Sequence, residues 1–301
     1  MRKRKDRKII SVIKANGDTE PFDEDKIRRS LIRSGTAPDM VDTIIGEVGK
    51  KVYDNITTKK LYKIVFNELQ KRRRPAAGKY HLKNAIMELG PTGFPFESFI
   101  ASLFRAAGYQ VVTGQMVEGH CVKHEVDVIA ENGKDLFMME CKFHSSSGTV
   151  CDVKTALYVR ARFWDIEEKL PAQQGTDVQL FKGWLVTNTR LTTDAEQYGT
   201  CSGLSLMSWN FPAGQSLRER IDANGLYPVT CITSLSRDEK EKLLAADVVL
   251  CKELAKAPEV LGKIGVSASR AQRITEEAVN ICRENMTMHD ERKTPKDRIH
   301  E

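Results

Sequence analysis

The chain has 301 residues, 41% of them hydrophobic and 29% charged, with a formal net charge of +6. No apolar run approaches the roughly 20 residues that span a bilayer. The basic start Met1-Arg2-Lys3-Arg4-Lys5 has no apolar segment behind it, so a membrane protein and a secretory leader are both excluded as expectations. Seven cysteines are scattered singly with no Cys-x-x-Cys pair. That argues for a reducing cytoplasm and against a zinc site or disulfide frame. Basic clusters stand at residues 2–8 and at Lys71-Arg72-Arg73-Arg74. Contact with phosphates, or a solvated tail and a helix end, would each account for them.

Residues 8–90 are expected to form a first domain. Residues 9–14 alternate as a strand, and Asn16-Gly17 turns the chain into Glu20-Pro21-Phe22. Asp23 can cap a helix starting near Glu24, with Ile27, Leu31 and Ile32 on one face. A second helix is predicted over residues 39–53 through Val41, Ile44, Ile45 and Val48. Thr57 or Thr58 caps a third, with Leu61, Ile64, Val65 and Leu69 inward and the arginines at its C-terminal end, where cations suit the helix dipole. A fourth covers residues 76–89. The expectation is a short hairpin followed by a helical bundle.

The pattern Val12-x-Lys14-x-x-Gly17-x-x-Glu20-Pro21-Phe22-Asp23-x-x-Lys26-Ile27 resembles the ATP-cone, as do Thr58 at a later helix entry and the Ala76…Tyr80 spacing. This is the nucleotide-sensing module of ribonucleotide reductases and of their transcriptional repressor. The resemblance implies that Val12, Lys14, Glu20, Lys26, Ile27 and Thr58 line an ATP or dATP pocket. Lys14 and Lys26 would offer ammonium groups to phosphates. Thr58 would supply a hydroxyl at a helix N-terminus, and Glu20 could accept from ribose or base. Ala15 stands where many ATP-cones carry a basic residue, which puts one phosphate contact in doubt. Without the family pattern, a small bundle with exposed lysines would account for the same residues.

Gly90-Pro91-Thr92-Gly93-Phe94-Pro95 is a breaker-rich joint, and a middle domain is expected over residues 91–215. Phe96, Phe99, Ile100, Leu103, Phe104 and Ala107 make one broad face of an amphipathic helix ended by Gly108. Residues 109–113 read as a strand. Then come two strongly apolar strands that nevertheless carry charge, Glu125-Val126-Asp127-Val128-Ile129-Ala130 and Phe137-Met138-Met139-Glu140-Cys141-Lys142. Asn132-Gly133 between them is a strong hairpin signal. A two-residue loop there would set Glu131 against Lys134, Glu125 against Glu140, and Asp127 against Met138. Glu125, Asp127, Glu140 and Lys142 would then project from one face. Carboxylates gathered on a core hairpin repel and must be desolvated. A hard divalent cation would resolve that repulsion, and beside a lysine it could activate water against a phosphodiester. An amphipathic hairpin with a solvated polar face is the plainer alternative.

Asp127, the hairpin and Glu140-Cys141-Lys142 resemble the core of PD-(D/E)xK nucleases, and specifically the Mrr-like restriction endonucleases, over residues 94–212. Val126 stands in place of the motif's proline. The resemblance implies Mg²⁺ held by Asp127 and Glu140 with the Cys141 carbonyl, and Lys142 orienting water or stabilising developing charge. The Cys141 side chain would face the core as a small hydrophobe. It also offers Glu97, on the first helix, as a further acidic residue of the site; a solvent carboxylate at a helix start would explain Glu97 as well.

The rest of this domain is read as a helix over residues 150–168 with Val153, Leu157, Ala161 and Trp164 inward and Lys154, Arg160 and Arg162 free for phosphates. A central strand follows over residues 181–187, then a helix over 192–198 and a strand over 204–209. Residues 216–301 are expected to be helical. Ser236-x-x-Glu239 is a capping box, and Leu261-Gly262-Lys263-Ile264-Gly265-Val266-Ser267 faintly resembles a helix-hairpin-helix, whose turn contacts DNA phosphates. A helical pair packed on the middle domain, or serving a homo-oligomer, is the alternative. Residues from Met288 onward read as disordered.

The expected fold class is thus α/β multidomain: a hairpin plus helical bundle, an α/β sandwich with a mixed sheet of restriction-endonuclease type, and a helical C-terminal region. The resemblances imply a cytoplasmic Mg²⁺-dependent DNA endonuclease with an ATP- or dATP-binding regulatory domain. A non-catalytic, nucleotide-responsive DNA-binding regulator is the alternative, to be favoured if Asp127 and Glu140 lie on opposite faces.

Overall fold

The structure is a computed structural model and describes residues 10–14, 17–146, 148–169 and 180–283. The basic residues 2–8, Ala15 and the polar tail from Met288 lie outside the described residues. The fold is mixed α/β, and no helix among the described residues is long and apolar enough to cross a membrane. All seven cysteines are free thiols.

The chain opens on β1 (Ser11–Ile13) and β2 (Thr19–Pro21), an antiparallel pair. Asp23 then starts α1 (Glu24–Arg33) by accepting the Asp25 and Lys26 N–H groups, which would otherwise be orphaned in the first turn. After α2 (Pro38–Gly49), a strand that periodicity does not reveal, β3 (Ile56–Thr57), pairs parallel to β1. The expected hairpin is therefore the three-stranded sheet β2-β1-β3. Two residues are too few to show a period, which is why β3 escapes the sequence. Thr57 caps α3 (Thr58–Arg72) by accepting the Lys60 N–H. The expected fourth helix is two, α4 (Arg74–Tyr80) and α5 (Leu82–Met87), interrupted at His81. The His81 ring is fixed there between the Tyr62 hydroxyl on Nδ1 and Glu88 on Nε2.

The joint at residues 90–95 leads into α6 (Phe94–Ala106), buried along its Phe96, Phe99, Ile100 and Leu103 face as the spacing requires. Next come β4 (Gln110–Glu118), β5 (Lys123–Glu131) and β6 (Asp135–Lys142). A short strand β7 (Val150–Cys151) precedes α7 (Val153–Glu167). Then follow β8 (Leu180–Thr187), β9 (Arg190–Leu191), α8 (Thr193–Cys201) and β10 (Ser205–Met207). The main sheet runs β10-β8-β6-β5-β4, parallel across β10, β8 and β6 and antiparallel across β6, β5 and β4.

One face of this sheet, with Val128, Phe137, Met139, Cys141 and Val186, packs under α6. The other, with Met138, Leu185 and Leu206, packs under α7 and α8. The expected inward stripe of α7 is wrong. Leu157 and Trp164 are exposed, whereas Ala156, Val159, Phe163 and Ile166 are buried. Both stripes are apolar at helical spacing, and the sheet selects the one whose Phe163 ring fits against Gly183 of β8, where a Cβ would meet the ring at 2.5 Å.

The C-terminal region holds α9 (Leu217–Asn224), a 3-10 turn at Val229–Cys231, α10 (Arg237–Ala245), α11 (Cys251–Lys256), α12 (Val260–Lys263) and α13 (Ala268–Arg283). Ser236 and Glu239 form the expected capping box, and Ser216 with Glu219 forms a second that opens α9. Leu261, Val266 and Ile274 around the glycine turn join the same core as α6 and the sheet. The helices of this region thus pack on the middle of the molecule.

Candidate active site and nucleotide site

The candidate site forms where β5 and β6 separate. Their ladder pairs Glu131 with Leu136, Ile129 with Met138 and Val128 with Met139. The expected pairing of Glu131 with Lys134 is therefore off by two residues. The cause is the turn: the Asn132 side chain accepts the Lys134 and Asp135 N–H groups, at 3.1 and 2.8 Å, and Gly133 and Lys134 form the tip with Gly133 at φ 86°. A slip of two keeps each side chain on its face. Continued past the ladder, the observed register sets Asp127 against Glu140, not Met138, and Glu125 against Lys142. Alternation along β5 breaks at this point, since Val126 packs on the α7 side of the sheet and Val128 on the α6 side; Asp127, Glu140 and Lys142 nevertheless stand within reach of one another's charge.

The ladder stops at Val128 and Met139, and the Cys141 N–H beyond it is taken by Asp127 Oδ2 at 2.6 Å. The Cys141 side chain turns into the core on the α6 side and is 7% exposed. On the neighbouring edge strand, Gly114 falls opposite Asp127 with φ 59°, a left-handed backbone that glycine adopts without strain.

Glu140 is buried and is gripped from two sides, by the Lys142 ammonium on Oε1 and by the Arg162 guanidinium on Oε2. Arg162 comes from α7 and also donates to the Glu125 carbonyl. The expectation that Arg162 is free for phosphates is therefore corrected: it holds a site carboxylate. Choosing the Ala156-Val159-Phe163-Ile166 stripe of α7 from the sequence would have turned Arg162 toward the sheet edge and revealed this. Lys142 is anchored at its carbonyl by the Thr187 hydroxyl at 2.8 Å. The next loop is clasped by Asn188, whose side chain accepts from His144 N and donates to His144 O, both at 2.8 Å.

Charge crowding shows in the proton affinities. Burial, then the Glu140 carboxylate, raises the Asp127 pKa to about 6. Burial, then the charges of Asp127, Glu125 and Glu140, raises Glu97 to about 7. Glu97 thus feels the site from the first turn of α6. Burial acts to lower the Lys142 pKa, but the hydrogen bond and charge of Glu140 outweigh it and leave it raised. Among the described residues, no three His, Cys, Asp or Glu side chains are arranged as a ready metal cage. Both Glu140 oxygens are engaged by cations, and one Asp127 oxygen by a backbone N–H.

The six candidate nucleotide residues lie on β1, β2, α1 and the start of α3. Glu20 bridges Lys14 at 2.8 Å and Lys26 at 3.1 Å. The Lys14 hydrogen bond lowers the Glu20 pKa, and the same bond raises that of Lys14. Val12 and Ile27 are buried beneath them. The Thr58 hydroxyl donates to the Ile13 carbonyl at 3.0 Å, tying the start of α3 to β1, while the cap itself is made by Thr57.

Residues 10–83 match the ATP cone domain family. The chain is therefore a mixed α/β protein carrying an ATP-cone, a domain type that binds nucleotide regulators such as ATP and dATP. Residues 227–282 match the family described as AF1548-like, C-terminal. An uncharacterized protein of Archaeoglobus fulgidus is 32% identical over 183 residues, which is 60% of this chain and 99% of that protein. The crystal structure of a protein of unknown function, AF1548, aligns at 30% identity with a TM-score of 0.52, covering 64% of this chain and 98% of that one. The chain belongs to this AF1548-like family.

Proposed function

We propose that the chain is a Mg²⁺-dependent DNA endonuclease whose cone senses ATP or dATP. The observation that carries this reading is the gathering of Asp127, Glu140 and Lys142 within reach of one another's charge where β5 and β6 part. Glu97 lies close enough for their charge to raise its pKa. Asp127 and Glu97, which bind protons this readily, are poorly neutralised by their own surroundings, and the donor set is oxygen, which suits a hard cation. Asp127, Glu140 and the Cys141 carbonyl would hold Mg²⁺. When bound, Mg²⁺ supplies a polarised phosphate and a more acidic water.

The protein's own groups define the remaining roles. Lys142 donates to negative charge developing on the phosphate. Arg162 positions Glu140 while Lys142 turns from Glu140 toward substrate. Glu97, with a pKa near neutrality, can hold or release a proton at the edge of the site. Nucleotide in the cone, by displacing Glu20 from Lys14 and Lys26, would favour one arrangement of the chain over another.

The test is incubation of supercoiled, linear and methylated DNA, and of RNA, with the full chain and Mg²⁺, with and without ATP or dATP. Nicking or cutting of DNA supports the reading. Cutting of RNA alone would replace the substrate. One observation favours a second reading, a nucleotide-responsive DNA-binding regulator: the ion pairs that occupy both Glu140 oxygens. Tight, nucleotide-dependent DNA binding without cleavage would select it.

A further inference from the structure

Four cations from separate elements act on one another electrostatically, Lys83 with Arg190 and Arg218, and Arg218 with Arg33. Asn188, at the end of β8, reaches the Met87 sulfur of α5 at 3.2 Å. Lys83 lies one turn before Met87 on the same face of α5, and Arg190 lies two residues beyond Asn188. Trp209 N donates to Thr189 O at 2.8 Å and Leu217 N to Ser208 O at 2.9 Å, which brings Arg218 at the start of α9 to the same end of the sheet. Arg33 ends α1, and the Arg218 charge acts on it.

Carboxylates balance part of this charge: Asp222 acts on Arg33 and Arg218, and Glu219 on Arg218. Lys83 feels Arg190 and Arg218 and, among the described residues, no carboxylate. Arg218 stands 3.9 Å from Glu219, whose other oxygen takes the Ser216 N–H, and the Arg218 Nε is buried with no hydrogen-bond partner. Asp222 is the carboxylate that acts on Arg33, and it accepts the Tyr227 hydroxyl at 3.1 Å. Arg33, Lys83 and Arg190 are exposed, and like charges held together repel unless an anion joins them.

We propose that Arg33, Lys83, Arg190 and Arg218 form a cationic track for the phosphodiester backbone of a nucleic-acid strand, leading from the end of the cone to Lys142; this rests on the nuclease reading above. The track differs from the nucleotide pocket. Lys26 stands in the first turn of α1 and Arg33 in its last, about 10 Å apart along the helix. Its near end adjoins the site, because Thr187 bonds the Lys142 carbonyl and Asn188 clasps the following loop. Phosphate contacts of this kind give register and affinity without reading sequence.

The experiment measures binding of a short fluorescent DNA duplex by the full chain in EDTA, over a series of salt concentrations. Fluorescent ATP binding is measured beside it. The double variant Lys83→Ala/Arg190→Ala should bind duplex about tenfold more weakly near 0.1 M salt, and its salt slope should fall by about 2. Its ATP binding and melting temperature should not fall. A control that removes equal charge elsewhere, Lys134→Ala/Lys256→Ala, should bind duplex as the wild type does. If the wild type binds duplex and the double variant matches it in affinity and slope, the track is wrong while the nuclease reading stands. If the double variant loses ATP and not duplex, the cluster serves a free triphosphate and the proposal fails. No duplex binding by any of the proteins would overturn the track and the nuclease reading together.

Discussion

Asp127 and Glu97 set the acid–base behaviour of the candidate site. Their folded pKa values, about 6 and about 7, exceed unfolded values near 4. The folded state therefore favours their protonated forms. That stabilisation is fully present below about pH 4 and is lost as pH rises through 6 and 7. Both groups are partly open to solvent, so screening reduces the effect to about 1 kcal/mol each. In EDTA, Asp127→Asn should raise the melting temperature at pH 8 by about 2–4 °C and leave it unchanged at pH 4. A difference that does not vary with pH would contradict the assigned crowding. At the other site, Lys14→Ala should weaken ATP binding at least tenfold by calorimetry, since it would remove an ammonium that the proposed nucleotide site offers to phosphate, while nucleotide-free cleavage is unchanged.

At the level of elements, the packing of α7 on the main sheet positions Arg162, and it depends on Gly183. A methyl group there would press on Phe163 at 2.5 Å. Gly183→Ala should cost about 1–3 kcal/mol by overpacking, read as a lower denaturation midpoint in urea, with cleavage falling as Arg162 shifts. Unaltered stability and cleavage would show that α7 has room to move. This contact was not legible in the sequence, because helix periodicity fixes a stripe only when one of the candidate faces is polar, and α7 has apolar residues on two. The site was legible for the opposite reason. Asp127 and Glu140 are carboxylates set among runs of buried apolar residues on neighbouring strands, which marks them without knowledge of the register. The slip of two at Asn132 was hidden because an Asx turn and a two-residue loop share the same Asn-Gly signal. The capped helices α1 and α10 were legible at their starts through Asp23 and Ser236. β3 was not legible, since only its pairing with β1 makes it a strand.

Across the whole molecule, the cone and the C-terminal region meet directly. Gly78 on α4 lies so close to the 3-10 turn that a Cβ would stand 2.6 Å from the Cys231 carbonyl oxygen. The Thr230 hydroxyl donates to Ala85 O at 2.7 Å, and Lys240 pairs with Glu88 at 2.8 Å. A change in the cone thus has a contact through which to reach the rest of the chain. Gly78→Ala should force this contact apart, leaving ATP affinity within twofold of the wild type while reducing the effect of ATP on cleavage. An undiminished nucleotide effect would place the coupling elsewhere.

Hydrolysis of DNA by Asp127, Glu140 and Lys142 is the proposed activity. Its most direct measurement is cleavage of supercoiled plasmid in Mg²⁺ by the wild type, Lys142→Ala and Asp127→Asn, each shown to be folded by its unfolding transition. The wild type should give nicked and linear product, lost in EDTA, and both variants should cleave at least a hundredfold more slowly. Cleavage by either variant at the wild-type rate, or none by a folded wild type on any DNA tested, would contradict it.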